Sequence, residues 1–124
     1  LSIAQRLSRK FVPGKGEALP MDGAIGALIQ KQFSDLPEQF KPKFGPDDHV
    51  YDIPKVGGEG VLHDRMPMFE MFAVDRALET IILKDPTENS IYDYVRAQGM
   101  ITMKEDAILK SIKGIVPWSE VNAL

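Results

Sequence analysis

The sequence contains no cysteine. This absence excludes disulfide bonds, thiolate nucleophiles and zinc sites built from thiolates, and it agrees best with the reducing cytosol. Long apolar runs are missing too, since none approaches the roughly 20 residues that a membrane-spanning helix needs. We therefore predict a cytoplasmic protein without a transmembrane segment. Because the chain begins with Leu1 rather than Met, we expect it to be a piece of a longer protein.

The sequence also lacks an excess of positive charge. Its 15 Lys and Arg residues stand against 18 Asp and Glu residues, which gives a net charge of −3. Proteins that hold nucleic acids by charge need the opposite balance, so no direct nucleic-acid partner is predicted. With 124 residues, 44% of them hydrophobic, the chain is long enough for one packed domain.

Residues 1–17 are predicted to form a helix followed by a loop. Ile3, Leu7 and Phe11 recur every four residues with polar side chains between them, which predicts an amphipathic helix from Ser2 to Phe11. Pro13 and the glycines after it end the helix.

Residues 18–73 are predicted to be a region of loops and short strands around one helix. Asp22 is the expected N-cap of that helix, and a helical turn follows near Phe40. Alternating or continuous apolar residues of strand length predict strands at His49–Ile53 and Met66–Ala73.

Residues 74–124 carry clear start and stop signals for helices. These signals are Asp75 as an N-cap, Gly99 as a helix end, the Thr102–Glu105 capping box and Pro117 before a last short helix. The predicted fold class is therefore α+β, with short strands in the first half and a small helical bundle in the second.

No self-sufficient active site is visible in the sequence. Gly14-Lys15 lacks the upstream glycine and the following Ser or Thr of a P-loop, and Gly57–Gly60 lacks the dinucleotide-binding spacing. His49 and His63 stand beside aspartates, so a metal site or an acid–base pair remains an alternative there. No catalytic residue, metal or cofactor is predicted for this chain by itself.

Arg6 and Arg9 lie three residues apart, which would place both on the polar side of the predicted first helix. A guanidinium there could bind a phosphate or a neighbouring carboxylate through two hydrogen bonds. A solvated helix face is the alternative. The phenylalanines and methionines of residues 66–72 are predicted to fill the core rather than to line a cofactor site.

Several short motifs follow one another in a defined order along the chain. They include I-A-Q-R-L-S-R at the N-terminus, R-M-P-M-F-E in the middle and A-Q-G-M-I-T-M-K-E-D further on. The matching segments are residues 3–10, 65–71, 74–78, 97–106 and 112–121. Together they resemble the C-terminal part of the type II secretion and type IV pilus assembly ATPases. Residues 18–50 resemble no part of that family and form a variable insertion.

The resemblance implies a C-terminal subdomain that trails a RecA-like core. In the family that core carries the P-loop and the acidic and histidine boxes, so ATP and Mg²⁺ belong to the longer parent and not to this piece. The implied parent is a homo-hexamer in the cytoplasm, held at the inner membrane through a platform protein. The implied role of this piece is subunit packing and force transmission.

The resemblance also suggests roles for four charged residues. Arg6 and Arg9 match the family's Q-R-L-x-R arginines, which implies a position near the nucleotide or at a subunit interface. Arg65 and Glu70 match its G-R and E positions, with Asp64 in place of the glycine. For these two residues, an ion pair within the subunit and a contact between subunits are the two interpretations.

Many members of the family carry a four-cysteine zinc site between these segments, and this chain does not. Alignment on the flanking motifs places Val12, Lys15, Pro54 and Gly57 at the cysteine positions. No zinc is therefore predicted. Apolar contacts of Val12, Ile53 and Val56 are expected to hold the two loops instead.

Two other functions stay open at this point. A standalone protein-interaction module without ATPase activity is the main alternative. A small metal-dependent enzyme that uses His49 and His63 is the other.

Overall fold

The structure, a computed structural model, describes residues 1–45 and 47–124. Its elements are β1 (Ser2–Phe11), β2 (Glu17–Pro20), α1 (Gly23–Gln32), a 3₁₀ helix (Glu38–Phe40), β3 (His49–Asp52), β4 (Leu62–Phe72), α2 (Arg76–Lys84), α3 (Glu88–Ala97), α4 (Met103–Ile112) and α5 (Trp118–Val121). β1 pairs with β4, and β2 pairs with β3, both antiparallel. The predicted α+β class is confirmed at this level. In the part of the chain described here, no helix is long and apolar enough to cross a membrane.

The first element is a strand, so the predicted helix from Ser2 to Phe11 is wrong. β1 pairs with β4 from Ser2, opposite Phe72, to Phe11, opposite Leu62. An apolar residue at every fourth position fits a strand as well as a helix, because four is a multiple of the strand period of two. Pairing with the apolar β4 segment decides between them, since intrinsic propensity is a weak preference that tertiary context overrides.

A β-bulge interrupts the β1–β4 ladder between Arg9 and Lys10. Arg9 faces Arg65 and Lys10 faces His63, so Asp64 is the extra residue on β4. Asp64 has φ 54°, in the left-handed region that Asp enters more readily than most residues do. The bulge therefore places several charged side chains at one end of the β1–β4 sheet.

The loops that follow β1 and precede β4 are joined by a backbone hydrogen bond between two residues that flank buried neighbours. The N–H of Val12 donates to the carbonyl of Val61 at 2.8 Å, and Phe11 and Val61 are both buried. Val56 is 91% exposed, so the expectation that it helps to hold these loops is wrong. Val56 lies within the bend at residues 55–57, away from the core.

The main hydrophobic core joins both halves of the chain. Its buried members are Ile29, Phe33, Leu36, Val50, Met68, Ala107, Ile108, Val116, Trp118 and Val121. Helix α4 packs against β3, β4 and α5, whereas α2 packs against α3 around a second, smaller cluster. The helices of residues 74–124 therefore pack in pairs, α2 on α3 and α4 on α5, and strands from the first half cover much of α4.

Most of the predicted local boundaries agree with the structure. The strand at His49–Ile53 is confirmed as β3, and the strand at Met66–Ala73 is confirmed as β4, which begins earlier, at Leu62. Asp75 accepts a hydrogen bond from the N–H of Leu78, and the Thr102–Glu105 capping box is complete. Asp22 stands at the N-cap of α1, but its side chain makes no capping hydrogen bond.

Candidate functional site

Arg6 and Arg9 lie on strand β1 rather than on the polar side of a helix. The Nη1 of Arg6 donates to the carbonyl of Ala123 at 3.3 Å, and the Nε of Arg9 donates to Oε1 of Glu120 at 2.6 Å. Both arginines thus reach the last residues of the chain, at and after α5.

The charged side chains at the bulge form a small surface cluster, which we call the bulge cluster: Arg9, His63, Asp64 and Arg65. Arg9 and Arg65 lie directly opposite each other on β1 and β4, a position in which like charges repel. Glu120 offsets this repulsion by its hydrogen bond to Arg9, and Nε2 of His63 lies 3.7 Å from Oδ2 of Asp64. The four side chains, with Leu62, line a shallow cavity of about 310 Å³. Two guanidinium groups at its wall can bind an anionic group by charge and hydrogen bonding.

Arg65 and Glu70 do not pair with each other, so the ion pair, one of the two interpretations for these residues, is wrong. Their separation of five directs the two side chains to opposite faces of β4. Instead, Oε1 of Glu70 accepts the N–H of Met103 at 3.3 Å, at the first turn of α4. Glu70 thus links strand β4 to the start of helix α4.

Two side chains of α4 bind the outer backbone edge of β4. The N–H of Phe69 donates to Oδ2 of Asp106 at 2.9 Å, and Nζ of Lys110 donates to the carbonyl of Pro67 at 3.1 Å. Lys110 and Asp106 are themselves paired at 2.8 Å. These contacts fix α4 along β4, the edge that faces away from β1.

A buried ion pair that the sequence did not reveal joins α3 to α4. Arg96 is 3% exposed and Glu105 is fully buried. Nη1 of Arg96 donates to Oε1 of Glu105 at 2.5 Å and Nη2 donates to Oε2 at 2.9 Å, which is the bidentate geometry of a strong pair. Arg96 also binds the carbonyl of Met100 and Oδ1 of Asp35. The pair therefore ties helices α3 and α4 to the segment that follows α1.

Hydrogen bonds favour the charged forms of Asp35 and Arg96, whereas Tyr92 stays protonated. Burial opposes the charge on Asp35, but hydrogen bonds from Tyr92 and Arg96 outweigh it and lower the pKa of Asp35. Burial, followed by the hydrogen bond to Asp35, raises the pKa of Tyr92 to about 12. Burial works against the charge of Arg96 as well, yet its hydrogen bonds to Glu105 and Asp35 raise its pKa. Near neutral pH the network is thus a fixed structural clamp.

The two histidines lie in different sheets. His49 is opposite Pro20 in the β2–β3 pair, and His63 is opposite Lys10 in the β1–β4 pair. Among residues 1–45 and 47–124, no group of three or more His, Cys, Asp or Glu side chains is placed to hold a metal ion.

The charged contacts described for these strands and helices thus fall into three sets: the bulge cluster, the contacts between α4 and β4, and the buried clamp around Arg96. Only the first of these is open to solvent over much of its area, since the Arg9 side chain is 59% exposed. No protein-family model and no curated protein matches this chain.

Proposed function

We propose that this chain is the C-terminal subdomain of a hexameric secretion or type IV pilus assembly ATPase. In this role it packs against neighbouring subunits and transmits force, while ATP and Mg²⁺ bind to a RecA-like core that precedes it in the parent. The parent works at the cytoplasmic side of the inner membrane, where a platform protein is its partner. The machine exports protein or extends a pilus.

The observation that supports this proposal is the way in which the family-like segments meet. Residues 3–10 and 65–71 lie on the two paired strands of one antiparallel sheet. This strand pair is hydrogen-bonded to residues 97–106 through the Glu70–Met103 and Phe69–Asp106 contacts, and to residues 112–121 through Arg9 and Glu120. Segments that are far apart in the sequence thus depend on one another in the fold, as parts of a single inherited unit would.

The same contacts supply a path for force. β1 would follow the core directly, and its ladder with β4 resists sliding because every residue pair along it would have to shift. β4 is in turn fixed to α4 by Asp106 and Lys110. A pull on β1 would therefore move α4 and the main core together rather than separate β1 from β4.

The first test is to read the coding sequence upstream of Leu1. We expect an in-frame G-x-x-x-x-G-K-S/T motif followed by acidic and histidine boxes. A start codon near Leu1 without these motifs would refute the ATPase parent.

The second test concerns Arg6 in the intact parent. Arg6→Ala should lower ATP turnover by about tenfold, or about 1.4 kcal/mol of transition-state stabilisation, through a lost contact at the nucleotide or subunit boundary. Stability should change little, because among the described residues the side chain of Arg6 makes one hydrogen bond, the exposed 3.3 Å contact with Ala123. Lys84→Ala, an exposed charge removal on α2, is the matched control. Unchanged turnover in Arg6→Ala would defeat this role.

A standalone interaction module is the second candidate. It is favoured by a core that closes within the chain, since α1, β3, β4, α4 and α5 all contribute buried residues to it. In this case the 124-residue chain would fold and bind its partner without a motor domain. The upstream coding sequence discriminates between the two candidates.

A further inference from the structure

The two outer edges of the β1–β4 sheet differ in how their backbone groups are hydrogen-bonded. Along β4, the N–H of Phe69 is used by Asp106, the carbonyl of Pro67 is used by Lys110, and Pro67 has no N–H to offer. Along β1, the N–H of Phe11 donates to the carbonyl of Ile115, but from Ser2 to Ser8 no backbone partner other than β4 is present among the described residues. One edge is covered and the other is open.

The backbone groups on the open edge belong to Ile3, Gln5 and Leu7. In an antiparallel pair, residues directly opposite each other either exchange both backbone hydrogen bonds or exchange none. Phe69 donates to Asp106 instead of to its partner Gln5, so this pair exchanges none, and the same holds two positions away along the ladder. The N–H and carbonyl groups of these β1 residues therefore point outward.

Exposed edge strands are templates for pairing with another strand, and proteins usually blunt them with proline, bulges or covering segments. Ser2–Ser8 contains no proline, and the bulge lies beyond it, after Arg9. Its outer face carries Ile3 and Leu7, which are 55% and 58% exposed. This segment has the features of an interface and few of the features of a protected edge.

The sequence of β1 is complementary to itself in one antiparallel register. When two copies pair about Gln5, Ile3 of each copy faces Leu7 of the other, and Ser2 faces Ser8. Arg6 faces Ala4, so no two arginines oppose each other. Moving the centre by one residue, to Arg6, would set two arginines face to face.

We propose that two copies of this chain associate through the open edge of β1, pairing antiparallel about Gln5. The two β1–β4 strand pairs then form one four-stranded sheet in the order β4–β1–β1–β4. Each exposed Ile3 and its cross-strand neighbour Met71 continue into Leu7 and Pro67 of the second copy, which gives an apolar row across all four strands. The interface is isologous and closes after two copies. It depends only on β1 and β4, not on an ATPase parent.

Light scattering or sedimentation equilibrium on the 124-residue chain tests the dimer. We expect about twice the 13.8 kDa chain mass. Ile3→Glu and Leu7→Lys should each raise the dissociation constant by at least about tenfold. Mixing the two variants should restore association, because the new carboxylate of one faces the new ammonium group of the other. Leu83→Lys, at an 84% exposed position on α2, should leave the constant unchanged.

The absence of cysteine permits a direct check of the register. Opposed residues of a hydrogen-bonded antiparallel pair have Cα atoms about 5.5 Å apart, within the range that a disulfide spans. Gln5→Cys should therefore form a covalent dimer on mild oxidation much faster than Val56→Cys, an exposed loop control. Circular dichroism verifies that each variant is folded. A monomer, a larger assembly, a dimer indifferent to Ile3→Glu, or equal cross-linking of the two cysteine variants would overturn the proposal.

Discussion

At the scale of single residues, the most consequential pair is Arg96 and Glu105. Both side chains are removed from water, and each satisfies the charge of the other with two hydrogen bonds. A buried pair of this kind adds little net stability compared with apolar residues of the same size, but losing one partner leaves an uncompensated buried charge. Its main effect here is to fix α3 and α4 relative to each other.

Arg96→Met should accordingly lower the free energy of unfolding by about 3 to 5 kcal/mol, because fully buried Glu105 loses its charged hydrogen-bond donor. Urea denaturation measures the loss. Arg9→Met breaks the exposed pair with Glu120 and should cost less than about 1 kcal/mol. Replacing Arg96 and Glu105 together by methionine should recover part of the loss. Equal costs for Arg96→Met and Arg9→Met would contradict this account.

At the scale of elements, the helices differ in how they begin. Thr102 and Glu105 form a reciprocal capping box at α4, in which the hydroxyl accepts the N–H of Glu105 and the carboxylate accepts the N–H of Thr102. Asp22 occupies the same position before α1 without a side-chain hydrogen bond. A residue type that favours caps therefore does not by itself make one.

Substitution of the two cap residues separates position from contact. Thr102→Ala should destabilise the chain by about 1 kcal/mol, since an N–H at the start of α4 loses its acceptor. Asp22→Ala should change the stability by only a few tenths of that amount, because no capping bond exists to be lost. Thermal unfolding of both variants makes the comparison. A loss at Asp22 as large as that at Thr102 would show that Asp22 does cap α1 in solution.

At the scale of the whole molecule, one core connects α1 and β3 of the first half with the C-terminal helices. Ile29 and Phe33 of α1 and Val50 of β3 pack in the same cluster as Ile108 of α4 and Val121 of α5. The helix and strand of the first half are thus integral to the fold. The chain should therefore unfold as a unit, as small single domains commonly do.

A peptide of residues 74–124 should consequently fail to fold alone, because the strands and α1 that cover α4 are absent. Circular dichroism should show weak helicity and no cooperative thermal transition. In the full chain, Ile108→Ala should cost about 2 to 5 kcal/mol through a core cavity, whereas Leu83→Ala, at an exposed site, should cost little. A cooperatively folded 74–124 peptide would instead support an independent helical subdomain.

The structure brings together only some of the predicted site residues. The sequence identified Arg9 and Arg65, but not that the bulge at Asp64 brings them face to face. It identified Glu105 as a capping residue, but not its pairing with Arg96, since one arginine in a helix has no local sign that distinguishes burial from exposure. Pairing between residues on different elements depends on how those elements pack, which local patterns do not specify.

The sequence by itself determined the helix boundaries in residues 74–124 and the strands at His49 and Met66, because caps, glycine ends and apolar runs act within a few residues. Tertiary structure alone decided that Ser2–Phe11 is a strand. Its apolar spacing fits both the helix period and the strand period, and the long-range pairing with β4 stabilises the strand. The same packing placed α4 on the strands as well as on α5, because an apolar helix face is covered by whichever apolar surface the rest of the chain presents.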